Sequence, residues 1–408
     1  MRICRSPQPS AEGERVVNRS ASHRVLLRPV PARARLWAVP AALTAGIGWH
    51  HIGASAQEST PASSPAATAS PAASPVAAGA ADLTALKAYV VEHVDALVAG
   101  ADQLHTVAQA YFDLAKAANF DYQQLWDANQ DTVRGDLAQA RELFTTGAHG
   151  NYELVEGLVA GLPALVDYDV WLDAGPSGAE DPTNARQWTL ALPDGTTMEN
   201  PGNIFHTLLE PVLWNTDPGA FGGLVIDTDG DGKVAIPDGL PDANLLLGIT
   251  AALVDAAGQL QAAVAAWEPT LADAFTALVV MLPTADGYFA DWAASPFVLG
   301  DKSTQTGFVA NSRLLDVLGI YGGLQLTWDK VGGEVAAVSQ ELANQIQTEM
   351  DALVGFVQDL YDHEQAGTRY TPEQADQFGS EVQARAESLA GQITQAAALL
   401  GIEIQAGA

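Results

Sequence analysis

Between Asp82 and about Ala118 the apolar positions Leu83, Leu86, Val90, Val94, Leu97, Ala101, Leu104, Ala108, Tyr111 and Ala115 advance by three or four. That spacing lines one face of an α-helix, so a long amphipathic helix or a broken pair is predicted. Further helical stretches run from about Asp121 to Phe144, from Asn151 to Gly161 before Pro163 interrupts, and from about Asp242 to Pro269. Two late stripes are clearer still. One joins Val335, Val338, Leu342, Ile346, Met350, Leu353, Val357 and Leu360; the other joins Phe378, Val382, Ala386, Leu389, Ile393, Ala397 and Leu400. The last helix opens with "YTPEQ", where Thr371 caps, Pro372 suits the first helical position and Gln374 completes a capping box. Alternation with period two is scarce. The loop from Asp173 to Asn203 is dense in Pro, Gly, Asp and Asn, and its "LPDGTT" marks at most a turn between brief extended pieces. The expected fold is all-α: two packed antiparallel helix bundles with long loops, dividing near residue 240 within a helical region 82–401.

Composition changes the picture at the N-terminus. Residues 1–56 carry eight arginines, no lysine and two glutamates, then the apolar run "LWAVPAALTAGIGW", then small residues at Ala54 and Ala56. Basic region, short apolar region and small-x-small site in that order predict a cleaved secretory signal. The run is short for a membrane span, which needs roughly 20 residues, so no membrane insertion is expected after cleavage. Residues 57–81 form an Ala/Ser/Pro-rich spacer with almost no charge, read as a disordered linker. The protein is therefore expected outside the cytoplasm, whether periplasmic, cell-surface or secreted.

Removing the eight basic and two acidic residues of the signal from the totals of 19 and 49 leaves 11 and 47, a formal charge of −36. Such a surface repels nucleic acid and concentrates cations. The single cysteine, Cys4, lies in the signal. Any metal in the mature chain must then be held by oxygen and imidazole.

The stretch "GNIFHTLLEPVLWNTD" supplies candidates. His206 and Glu210 stand four apart and share a helical face, where they can bind one cation or simply hydrogen-bond each other in a core. Pro211 cannot donate to the carbonyl of Thr207, which predicts a kink or helix end here. This stretch resembles the signature of the imelysin family, a helix carrying G-x-H-x-x-E followed by apolar residues and Leu-Trp. Glu210, Leu213 and Trp214 match it, whereas the histidine stands one residue early and Thr207 occupies the family position. Upstream, "NYELVEGLVAGLPALVDYDVWLDAG" resembles a Tyr-Glu-x-Ile-Glu segment with an Asp-rich end from the iron-uptake branch of that family. Tyr152, Glu153 and Glu156 occupy those places, with Asp169 and Asp173 following.

The resemblance implies two helical bundles carrying a metal-binding surface outside the cytoplasm, in proteins described as iron-uptake components or as peptidase-like. The implied metal ligands are His206, Glu210, Glu153, Glu156 and Asp173. Imidazole with carboxylates suits iron or another transition metal. An uptake role implies metal ions as partners and a membrane transporter or permease as the recipient.

A second cation site is readable in "DTDGDGKVAIPD". Asp227, Asp229 and Asp231 stand at positions one, three and five of a calcium-type loop, the Lys233 backbone at seven and Asp238 at twelve. Its expected role is structural.

Enzymatic signals are weak. The only His-Glu pair, at His363, lacks the second histidine of a zincin, and no G-x-S-x-G is present. A metallopeptidase using Glu210 as general base remains the alternative to a metal-binding protein, with a calcium-stabilised scaffold as the third reading.

Overall fold

A computed structural model describes residues 75–405. The signal segment 1–56 and most of the spacer 57–81 lie outside the described residues. The last spacer residues run without regular structure, where the backbone N–H groups of Val76, Gly79 and Ala81 donate to Asn344 Oδ1, the Gly333 carbonyl and Glu334 Oε1.

Helix α1 spans Leu83–Ala117, capped by Asp82, whose side chain accepts from the Ala85 N–H. The stripe read from the sequence is its buried face, from Leu86 to Ala115. Each fully buried Leu or Val there contributes roughly 1.5–3 kcal/mol. Helix α2, Tyr122–Glu142, runs through a π-helical turn, Leu143–Ala148, directly into α3, His149–Val159. A short helix α4, Val166–Asp169, leads into a second π turn, Val170–Ala174. "LPDGTT" is the turn of a small antiparallel hairpin, β1 (Thr189–Ala191) with β2 (Thr197–Glu199). A third π turn, Phe205–Leu209, continues into α5, Glu210–Trp214. After α6, Pro218–Phe221, the strands β3 (Gly222–Leu224) and β4 (Leu240–Pro241) pair across the base of the acidic loop.

Helix α7, Ala243–Ala266, is long and apolar enough by composition to cross a membrane. In this structure it packs lengthwise on α1 and completes a first bundle with α2 and α3. The second bundle contains α8 (Leu271–Met281), α9 (Ala285–Ala294), α11 (Arg313–Val338), α12 (Gln340–Gln365) and α13 (Pro372–Leu400), with the short α10 (Pro296–Leu299) between α9 and α11. Thr371 and Gln374 form the expected capping box. The stripe from Val335 to Leu360 divides at Ser339, whose extended backbone ends α11 and whose hydroxyl caps α12. The fold is thus all-α, apart from the two small strand pairs.

The bundles meet where α3 crosses α11, and the crossing is close because α11 offers glycines there. A Cβ on Gly323 would lie 2.5 Å from the Leu154 carbonyl oxygen, and one on Gly319 would lie 3.0 Å from Glu153 Cβ. A close approach between the bundles therefore falls on the turn of α3 that carries Glu153 and Leu154.

Candidate metal centre

Three π-helical turns surround this crossing. One immediately precedes His149, one contains Asp173 and one contains His206. A π turn inserts an extra residue into a helix and redirects the side chains beyond it, and such turns are frequent at functional sites. Asn203 starts the third turn, its Oδ1 accepting from the His206 N–H at 2.7 Å and the Thr207 N–H at 3.1 Å. Leu209 N–H reaches back five residues to the Ile204 carbonyl at 2.9 Å. α-Helical geometry resumes with α5 at Glu210, and Pro211 in its first turn has no N–H to place, so the irregularity expected there takes the form of a π turn running into a new helix start.

The turns bring His149, Glu153, Asp173 and His206 together, each offering a ligand atom within 4.8 Å of the others. None is more than 4% exposed. His206 Nε2 lies 2.9 Å from Asp173 Oδ1, and His149 Nε2 lies 3.7 Å from the same oxygen. His149 Nε2 is also 2.8 Å from Glu153 Oε1, but the N–H direction misses the oxygen. Both ring nitrogens of His149 and both oxygens of Glu153 are thus buried without a hydrogen-bonding partner. Unpaired buried polar atoms are costly, and four of them from an imidazole and a carboxylate fit a cation. Bonds of about 2.1 Å would draw such donors together. Glu156, Asp169 and Asp173 form an adjoining group on the same length scale.

Glu210 stands behind His206. Its Oε2 takes the His206 Nδ1 hydrogen bond at 2.8 Å and the Phe308 N–H at 2.6 Å; its Oε1 takes the N–H groups of Val309 at 2.7 Å and Ala310 at 2.6 Å. Phe308 adopts φ +57°, a left-handed conformation costly for a bulky residue. What holds it there is the aim of these amides at Glu210 and the packing of its ring against His206, 4.1 Å between centroids, and the Arg313 guanidinium. Gly307 is required beside it, because a Cβ would lie 2.4 Å from the His206 carbonyl oxygen.

Electrostatics follow from this packing. Burial holds the His149 imidazole below its usual value, leaving it neutral, the form that ligates metal. Burial alone would depress His206 too, but Asp173 and Glu210 outweigh it and lift His206 to about 10. Burial opposes the ionisation of Asp173, yet His206 brings it down to about 2. Burial and then Asp173 push Asp169 up to about 7. Glu153 and Glu156 are raised well above the usual carboxylate range, by burial first and neighbouring carboxylates next.

In a metal-free protein Asp169 keeps its proton up to about pH 7 and His206 up to about pH 10, where the unfolded chain has released both. The folded state then binds more protons than the unfolded one, so stability falls as pH rises. Asp173 has the opposite sign, its contribution being lost as pH drops toward 2. Neutral, buried His149 also has the opposite sign below about pH 6.5, so in chelator the melting temperature is expected to decline from about pH 7 toward pH 10 as His206 loses its proton. Scanning calorimetry checks this, and a melting temperature rising over that interval would contradict it.

The groove between α3, α11 and α12 has a volume of about 410 Å³ and reaches Glu153 and Asp316. Asp316 holds Arg313 at 2.7 Å. All five expected ligands, His206, Glu210, Glu153, Glu156 and Asp173, therefore lie in one buried region, with Glu210 bound on its far side. His149 and the Arg313–Asp316 pair were not among the residues singled out from sequence. His149 repeats with Glu153 the H-x-x-x-E spacing of His206 and Glu210, which is the signal that could have found it.

Away from this region, the loop 227–238 gathers Asp227, Asp229 and Asp238 within 4.8 Å of one another. Asp227 accepts from the N–H groups of Gly230 and Gly232, whereas Asp231 is exposed and accepts from the Lys233 N–H. Arg141 donates to the Leu213 and Pro237 carbonyls, both at 2.8 Å, and so ties the loop's end to α5.

Two helical bundles meeting at a buried imidazole and carboxylate cluster define a class of helical protein able to hold a metal ion. The model of the imelysin family, peptidase M75, matches residues 85–400, and the chain belongs to the imelysin family. None of the curated proteins matches it.

Proposed function

We propose that this protein is an exported imelysin that binds iron, or a similar divalent or trivalent ion, as part of uptake. His149, Glu153, Asp173 and His206 are its ligands, and a membrane transporter or permease receives the ion. The observation that carries this reading is the convergence of unpartnered His149 and Glu153 atoms on Asp173 and His206. Two imidazoles and two carboxylates suit ferrous iron or zinc and exclude a sulfur-demanding ion. The basic and apolar N-terminal segment supports export.

Glu210 supports the binding reading over the peptidase one. A general base needs a free lone pair aimed at water, and Glu210 already accepts four hydrogen bonds. It acts in this reading as the group that orients His206, as outer carboxylates commonly do for ligating histidines.

Titration of the purified mature chain with ferrous, ferric and zinc ions tests the proposal. Tight binding is expected in the wild type and its loss in a His149→Ala/His206→Ala double variant that still folds; unchanged affinity in that variant would sink it.

The convergence of Asp227, Asp229 and Asp238 supports a separate structural calcium. Calcium is expected to protect the segment 225–239 from proteolysis, and Asp227→Asn to remove that protection without changing iron binding. Limited proteolysis with and without chelator measures it.

A further inference from the structure

Glu156 and Asp169 remain without a cationic partner once the site above is filled. Six carboxylates crowd this region, Glu153, Glu156, Asp169, Asp173, Glu210 and Asp316, none more than 6% exposed. Against them stand Arg313, which pairs with Asp316 at 2.7 Å, and His206, which bridges Asp173 and Glu210. An ion among His149, Glu153, Asp173 and His206 would serve Glu153. It would leave Glu156 and Asp169, whose oxygens lie within 4.8 Å of each other and of Asp173.

Their hydrogen bonding points the same way. Tyr152 donates to Asp169 Oδ1 at 2.7 Å, and Tyr288 donates to Glu156 Oε1. Each phenol fixes one oxygen of its carboxylate and turns the carboxylate plane. Glu156 Oε2 is buried with no partner at all. A carboxylate oxygen in that position is either protonated or bound to a cation.

We infer that Glu156, Asp169 and Asp173 hold a second cation, so that the centre is dinuclear with Asp173 shared between the two ions. The inference rests on the histidine site proposed above. The second position offers only oxygen donors, so it takes a hard divalent or trivalent ion. Ions sharing a carboxylate sit about 3.5–4 Å apart in two-metal sites.

Mn²⁺ is the probe, read by metal analysis and electron paramagnetic resonance in an Asp227→Asn background that silences the acidic loop. Two ions per chain and an exchange-coupled spectrum are expected at saturation. Glu156→Gln and Asp169→Asn, near-isosteric changes, are each expected to leave one ion with the spectrum of an isolated Mn²⁺. One ion per chain in the parent, unchanged by either variant, would overturn the second position while leaving the histidine site standing. Two ions retained in both variants would overturn it as well. If the His149→Ala/His206→Ala variant binds as many ions as the parent, it is the histidine site that falls.

Discussion

An Asp173→Asn protein is expected to fold and to lose the metal binding proposed for this centre, by more than the roughly 10–100-fold typical of an outer-shell change. Asparagine keeps the volume and one acceptor, but it removes the anion that both histidines face. His206 would then keep Glu210 as its carboxylate partner, and its titration is expected to move below the value of about 10 it holds beside Asp173. Competition against a chelator measures the affinity, and the imidazole proton resonances follow the titration. An Asp173→Asn protein that binds iron as tightly as the wild type would remove Asp173 from the centre.

The largest loss of stability is expected from Glu210→Ala. That change leaves three backbone N–H groups and the Nδ1–H of an imidazolium without acceptors in a buried space. Each orphaned donor costs about 1–3 kcal/mol, and breaking a buried ion pair alone costs about 3–5 kcal/mol. The terms overlap, so a loss of at least about 3–5 kcal/mol is expected, a large share of the ~5–15 kcal/mol that holds a domain folded. Glu210→Gln, which keeps one acceptor oxygen, should fall between. Denaturant unfolding gives the magnitude, and faster hydrogen exchange at residues 308–310 locates it. A Glu210→Ala protein as stable as the wild type would refute the cradle.

Sequence periodicity captured what depends on regular turns. The buried stripe of α1 and the cap of α13 follow from 3.6-residue spacing and from Thr371 and Gln374. The centre was legible only as a set of residue types, because spacing shows that His206 and Glu210 share a face but not which of them points inward. The answer depends on residues 308–310, about a hundred positions away, whose amides claim Glu210. His149 escaped for a related reason. It begins α3 just after a π turn, whereas α-helical period alone puts the start of the helix two residues later.

The π turn at Phe205–Leu209 also bears on the displaced histidine. The family pattern places histidine three residues before its glutamate; here the interval is four. A helical turn lengthened by one residue absorbs that extra position, so His206 still reaches both Glu210 and Asp173. The π turn thus sets the direction of the imidazole by the length of one helical turn, so that an interval of four residues still leaves one ring nitrogen for Glu210 and the other for Asp173.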